Sequence, residues 1–231
     1  MSGFVLKGAF VQFTETFPLP IPNAIIFQYN PETISHNWTP AATSNRISRA
    51  AGNPLAVSGQ PQETFSFTLM MDANDAIADG DPVQSNVAVA TGVYTRLAAL
   101  EMLLFPTAAP GTGLVGTVSA ALGITGKGSR TVPAATLPVA FWVYGPGRIL
   151  TVRVASLSVT EKLYDSDLLN PTHVEAQITL NVLTQDELKY VHGVLGKVAR
   201  GAYAYTQRLR QTLALTNLDN DVSSIIGMLA V

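Results

Sequence analysis

A chain of 231 residues is long enough to bury a core of its own and suits one generous domain, or one domain with an extension. Its 14 basic and 16 acidic residues leave a formal net charge of -2, which gives no electrostatic support to nucleic-acid or membrane-surface binding. With no cysteine, disulfides, thiolate catalysis and Cys-ligated metals are excluded.

Only 13% of the residues are charged, against about 25% in ordinary globular proteins. A surface so poor in charge reads as one covered by other protein, the alternative being a monomer rich in Ser, Thr, Asn and Gln. The opening residues MSGFVLKGAFVQF lack a basic stretch followed by a long apolar one, so no secretory signal is expected. Pro106, Pro110 and several glycines interrupt the uncharged run 102–126, and no membrane-spanning helix is expected there.

In chain order, residues 4–13 read as an opening strand, followed by a crossing at Pro18, Pro20 and Pro22. Short strands at 24–29 and 33–38 flank the Asn30-Pro31 turn. Residues 40–61, with Arg46 and Arg49, form a long loop of the kind that is functional or disordered. In residues 63–71, Phe65, Phe67 and Leu69 alternate with Thr64, Ser66 and Thr68, which predicts a strand with one dry and one wet face. Asp72, Asp75, Asp79 and Asp81 lack EF-hand spacing and read as a solvated turn.

Val93, Leu97, Leu100 and Leu104 then repeat at helical steps, with Ser85 or Thr91 as the cap and Pro106 as the stop. Residues 106–137, rich in Gly, Ala, Thr and Pro, read as an insertion or flexible loop. A compact strand at 139–144 carries Trp142, and Gly145-Pro146-Gly147 turns the chain into a long strand over 148–163. Along it the apolar parity switches from Leu150, Val152 and Val154 to Leu157, Val159 and Leu163. That slip predicts a bulge near Ala155 and Ser156. Asp165, Ser166, Asp167, Asn170 and Pro171 then supply turn chemistry. The returning strand alternates Val174, Ala176, Ile178, Leu180 and Val182 with Glu175, Gln177, Thr179 and Asn181, so the two arms are antiparallel.

Beyond Thr184 the period becomes helical, with Leu188, Val191, Leu195, Val198, Ala202, Tyr205 and Leu209 on one seam. Gly193, Gly196 and Gly201 weaken such a helix by about 1 kcal/mol each relative to alanine where they are helical and exposed. Lys189, Lys197, Arg200, Arg208 and Arg210 give the segment a positive bias, and the tail VSSIIGMLAV carries no charge. Such an apolar end is expected to dock on its own domain or on a partner.

No enzyme signature emerges. Gly111, Gly113 and Gly116 match a dinucleotide-binding spacing without the required strand before them, and Gly126-Lys127-Gly128-Ser129 lacks the remainder of a phosphate loop. His36, His173 and His192 are isolated from one another, and no nucleophile elbow is present. No catalytic residue, metal ligand or cofactor is expected, and Trp38, Trp142, Tyr29 and Phe27 read as core or interface aromatics.

Two blocks carry a resemblance. The first is IIFQYNPETI, residues 25–34. The second is the hairpin with Ser158, Thr160, Glu161, Tyr164, Asp165, Leu168 or Leu169, Pro171, Glu175, Ala176 and Ile178. Together they resemble the tube-domain proteins of contractile injection systems, the phage-tail-like machines, over residues 4–184 with gaps. The resemblance implies a mainly β fold with α: a tail-tube-like β-sandwich or ring-barrel domain over residues 1–184, two packed sheets with one flanking helix. Residues 185–231 form a helical C-terminal extension, and residues 1–184 are expected to fold without it.

The implied function is structural. A hexameric ring at the baseplate joins a trimeric spike to the inner tube and initiates tube assembly, with hairpins of neighbouring copies paired edge to edge. Glu175, Gln177, Thr179 and Asn181 would face the lumen, or plain solvent in a monomer. Leu188, Val191, Leu195, Val198, Tyr205 and Leu209 are expected to dock on other baseplate proteins. Expected partners are further copies of the chain, the spike, the inner tube and the baseplate, with no nucleic acid and no membrane insertion. Assembly is expected in the cytoplasm, within a particle that is released or stays inside the cell. No LysM-like segment follows Thr184, so a glycan contact made through that module of some relatives does not carry over. The alternatives are a main inner tube subunit and a carbohydrate-binding or hydrolytic β-sandwich domain.

Overall fold

The computed structural model describes residues 6–14, 21–43, 57–78, 88–105, 137 and 139–229. The strands are β1 (Ala9–Thr14), β2 (Ile21–Ile26), β3 (Ile34–Thr39), β4 (Ala42–Thr43), β5 (Val57–Ser58), β6 (Gln62–Asp72), β7 (Ala140–Val143), β8 (Ile149–Tyr164) and β9 (Pro171–Val182). The helices are α1 (Ala73–Ala78), α2 (Tyr94–Glu101) and α3 (Gly193–Leu229), with a 3-10 turn at Glu187–Tyr190 before α3. Seven strands form one antiparallel sheet in the order β2-β1-β7-β8-β9-β6-β3, and β4 pairs with β5 in a small ribbon. The fold is mainly antiparallel β with a few helices, including a C-terminal one.

The long hairpin follows the alternation of its sequence. Val174, Ala176, Ile178 and Leu180 of β9 are buried between β6 and β8. On β8 the register steps from Val154 opposite Leu180 to Ser156 opposite Thr179, so Ala155 is the extra residue where the parity slips. Ten residues on, the loop closes through Asp165 N–H to the Asn170 carbonyl at 2.9 Å and Leu169 N–H to the Asp165 carbonyl at 3.0 Å. The Asp165 carboxylate also accepts from Leu168 N–H at 3.0 Å. That turn chemistry holds Leu163 and Leu169 at φ 54° and 56°, the left-handed region that costs a leucine roughly 1–2 kcal/mol.

The core explains how one sheet does the work of two. Phe10 of β1 and Phe67 of β6 stack with centroids 6.4 Å apart, although β7, β8 and β9 lie between their strands. Phe27 meets Phe67 at 5.9 Å, and Trp142 stacks on Phe67 at 5.3 Å. The sheet therefore curls until its two arms face each other. The two packed sheets expected from the sequence are arms of one hydrogen-bonded sheet. The reason is β8, whose first residues pair with β7 while Val152 to Tyr164 pair with β9, and whose bulge adds twist at the bend.

Helix α2 lies against this core through Leu97 and Leu100, with Val93 and Leu103 also buried. It is shorter than the periodicity suggested; Val93 occupies its N-cap position, and Ser85 lies outside the described residues. The entry to α2 depends on Gly92, at φ 57°, where an added Cβ would sit 2.4 Å from the Pro171 carbonyl oxygen. That carbonyl accepts from Val93 N–H at 3.2 Å, tying α2 to the start of β9. The 106–137 insertion, save Leu137, lies outside the described residues, as do Arg46, Arg49, Asp79 and Asp81.

The C-terminal segment begins with a capping box that the sequence reading missed. Glu187 accepts from Thr184 N–H at 2.8 Å and from the Thr184 hydroxyl at 2.9 Å. A second hydrophobic cluster then forms on the opposite face of the sheet from the main core. It contains Phe141, Leu183, Leu188 and Ala199, with Val11, Val139, Val191, Leu195, Ala202 and Tyr203 around them.

Candidate assembly interface

Strands β3, β6, β9 and β8 form one arm of the sheet, and their registers put polar residues on a common face. One row across it reads Ser35, Ser66, Thr179, Ser156, and the next reads Asn37, Thr64, Asn181, Arg153. Further rows join Thr68, Gln177 and Ser158, then Met70, Glu175 and Thr160. Glu175, Gln177, Thr179 and Asn181 thus share one wet face, Gln177 exposed and the other three half-buried. Lys162 donates to Glu175 at 2.5 Å, and this hydrogen bond holds the Glu175 carboxyl below its ordinary range. A lowered folded-state pKa means that the pair persists at neutral pH and is lost only as pH falls into the acidic range.

The edges of this arm are unequal. β9 is laddered on both sides, to β8 and to β6, so the hairpin's second strand has no edge to offer a neighbour. This corrects the expectation that both hairpin arms take part in pairing between copies. Because β7 parts from β8 at Ala140 and Val152, the outer edge of β8 from Arg153 to Tyr164 has no strand beside it among the described residues. The outer edge of β3 is likewise open among the described residues. Unpaired edges of this kind are templates for another strand.

The Asn30-Pro31-Glu32 turn lies at one end of the arm, beside Thr68, Met70, Glu175 and Gln177. Asn30 ties this turn to the start of the chain, accepting from Gly8 N–H at 2.8 Å and donating to the Leu6 carbonyl at 2.8 Å. Gln28 bonds both backbone groups of Asp72, at 2.8 and 2.9 Å. This motif is a clamp holding the turn against β1 and β6. The histidines are dispersed: His173 meets Asp72 at 3.2 Å, His36 stacks on Phe65 at 4.1 Å, and His192 is exposed.

The residues expected to dock on partners divide. Leu188 is fully buried, Val191 and Leu195 pack in the second cluster, and Leu209 is half-buried, its Cδ2 4.0 Å from where a Cβ on Gly147 would sit. These four face the chain's own domain. The docking expectation is corrected for them, because the seam covers apolar positions of β1 and β7, Val11 and Phe141, that would otherwise meet water. Val198 remains exposed, and so does nearly half of Tyr205, whose hydroxyl donates to the Pro146 carbonyl at 3.0 Å.

Where α3 leaves the sheet it is fastened by a cluster that no motif announced. The Glu63 carboxylate, 5% exposed, accepts from the Arg210 guanidinium and meets His36 Nε2 at 2.9 Å. The guanidinium also lies over the Trp38 ring, 5.0 Å from its centroid. A signal did exist: Glu63 has the same parity as Phe65, Phe67 and Leu69, and a carboxylate at an inward position needs a partner. Arg210→Ala is expected to lower stability by about 1–2 kcal/mol in urea unfolding, and Arg210→Lys to recover only part of it, since an ammonium cannot both fork and stack. An unchanged urea midpoint for Arg210→Ala would mean the cluster contributes nothing.

Among the described residues no helix is long and apolar enough to cross a membrane. No protein-family model matches the chain, and no curated protein sequence matches it.

Proposed function

We propose that the chain is a structural ring-forming component of a contractile, phage-tail-like particle. It sits at the baseplate, where a hexameric ring joins the trimeric spike to the inner tube and starts tube assembly, and it performs no reaction. The observation that carries the ring is the arm β3-β6-β9-β8, polar on one face and, among the described residues, open along β3 and along β8 from Arg153 to Tyr164. Its strands alternate in direction, so β3 and β8 run antiparallel. A second copy placed with its β8 beside β3 continues the same ladder.

Both faces of that seam match. On the wet side Ser35 and Asn37 meet Ser156, Ser158 and Thr160 of the next copy, and on the other side Ile34 and Trp38 meet Leu157 and Val159. A contact between two different margins repeats head to tail, and it closes into a ring when the rotation from one copy to the next divides a full turn. The wet faces then line a lumen. Ring order, spike, inner tube, cytoplasmic assembly and particle come from the resemblance carried by the Asn30-Pro31-Glu32 block and the β8–β9 hairpin.

The lack of native cysteine makes the test clean. Asn37→Cys is combined in turn with Ser156→Cys, Ser158→Cys and Thr160→Cys. Mild oxidation is expected to link separate copies in at least one combination, giving a ladder that ends at a closed ring. A chain that stays monomeric at every concentration, with no cross-linking in any combination, overturns the reading. Copy number in purified particles separates the two structural roles: a baseplate ring is constant per particle, whereas a main inner tube subunit scales with tube length.

A further inference from the structure

The Asn30-Pro31-Glu32 turn stands over the wet face of the sheet and leaves a cavity of about 430 Å³ between them. Its floor is three rows deep. Ser35 lies beside Ser66, Thr68 beside Gln177, and Met70 beside Glu175. Successive rows on one face are two residues apart, so the floor runs for about 13 Å. Tyr29 and Glu32 belong to the wall, and a second cavity of about 710 Å³ continues the cleft past Tyr29, Glu32 and Met70 toward His173.

The wall is held firmly. Asn30 reaches back to Gly8 and Leu6, Gln28 grips both backbone groups of Asp72, and the Tyr29 hydroxyl donates to the Asp75 carboxylate. The floor is uncommitted by contrast. Among the described residues the side chains of Ser35, Ser66, Thr68 and Gln177 have no hydrogen-bond partner, and neither has the Glu32 carboxylate. A fixed wall over a floor of unused donors and acceptors has the form of a preformed binding site.

The lining selects the ligand. It holds two carboxylates, Glu32 and Glu175, and no cation, which disfavours a phosphate or a nucleotide. Glu175 is already matched by Lys162, so a basic peptide finds one free carboxylate among several neutral groups. Hydroxyls and a primary amide both donate and accept, which suits a ligand whose own groups do the same. Tyr29 and Met70, each 39% exposed, offer apolar surface to the C–H faces of such a ligand.

We propose that this cleft binds a neutral saccharide, roughly the size of a disaccharide given its volume. Sugar hydroxyls bond to Ser66, Thr68 and Gln177 on the floor, Glu32 accepts from a further hydroxyl, and a ring face lies on Tyr29. Every one of these groups belongs to a single copy. The site therefore goes beyond the ring reading and does not depend on it.

Saturation-transfer NMR of the full chain with maltose, lactose, cellobiose and diacetylchitobiose tests the site, with calorimetry for the affinity. At least one of them is expected to bind with a dissociation constant in the millimolar range or below. Gln177→Ala and Glu32→Ala are each expected to weaken that binding roughly three- to tenfold. Thr68→Trp, which fills the floor from an exposed position, is expected to abolish it, and the melting temperature is expected to stay unchanged in all three variants. Binding that survives Thr68→Trp lies elsewhere and overturns the proposal. A chain that binds none of the four saccharides, or that binds trilysine in their place, overturns it too. The cross-linking that tests the ring is read separately, so failure of the saccharide site leaves the ring standing.

Discussion

A chain cut after Thr184 is expected to lose cooperative folding, whereas a chain cut after Thr212 is expected to keep it. The difference lies in the second hydrophobic cluster. Leu188 and Ala199 are fully buried there, and without them Phe141 and Leu183 face water. Truncating one buried leucine to alanine costs roughly 2–5 kcal/mol, a large part of the roughly 5–15 kcal/mol that holds an ordinary domain together. The shorter cut also removes the Thr206 hydroxyl that donates to the Ile149 carbonyl at 3.1 Å, and the Arg210 partner of Glu63. Circular-dichroism melts of the two truncations decide the matter. A chain ending at 184 that melts cooperatively within a few degrees of the full chain would show that the cluster is dispensable. Because the first half of α3 completes a core on the sheet, the foldable unit is expected to extend some twenty-five residues beyond the 1–184 boundary drawn from the sequence.

Alanine at Gly196 and alanine at Gly201 are expected to act in opposite directions. A Cβ built on Gly196 would lie 2.0 Å from the Val191 carbonyl oxygen and 2.8 Å from its carbon. Those are backbone atoms of the turn that seats Leu188, so relief means moving the start of α3 off the sheet, at about 1–3 kcal/mol. The helix-propensity gain of about 1 kcal/mol does not offset it. A Cβ on Gly201 meets nothing within 4 Å, and there the propensity gain of about 0.5–1 kcal/mol stands alone. Urea midpoints should therefore fall for Gly196→Ala and rise for Gly201→Ala; a rise in both would mean that α3 does not approach Val191 closely. Gly193 is a third case, at φ 68° where an L side chain is strained. The uniform penalty that the sequence suggested for the three glycines holds only for Gly201.

Much of the hairpin was legible before any coordinates. Period-2 alternation named the buried residues of β9, and the parity slip located the extra residue of β8 at Ala155, because both signals are carried by neighbours in the chain. The wet face of Glu175, Gln177, Thr179 and Asn181 followed from the same alternation. Its width did not: the rows through Ser35, Ser66 and Ser156 exist only once strands from distant parts of the chain are laid side by side.

The helical seam after Thr184 was equally plain as a period, yet its direction was not. A seam says that a helix has an apolar face and is silent on whether its own sheet or another molecule covers it; the apolar positions of β1 and β7 answered that for Leu188, Val191 and Leu195. Arg210 and Glu63 lie 147 residues apart, and no local pattern couples them.

Local chemistry thus determined which segments are strands, where one of them bulges, where the chain turns, and that a helix follows. Tertiary structure alone decided that the strands form one curled sheet, that β9 is closed on both sides, that β3 and part of β8 keep open edges among the described residues, and that α3 is anchored through its first half and exposed over residues 211–217. Alternation and turn geometry act over a few bonds. Edge closure and burial depend on which distant apolar surfaces, such as Phe10 and Phe67, reach one another first when water is expelled from between them.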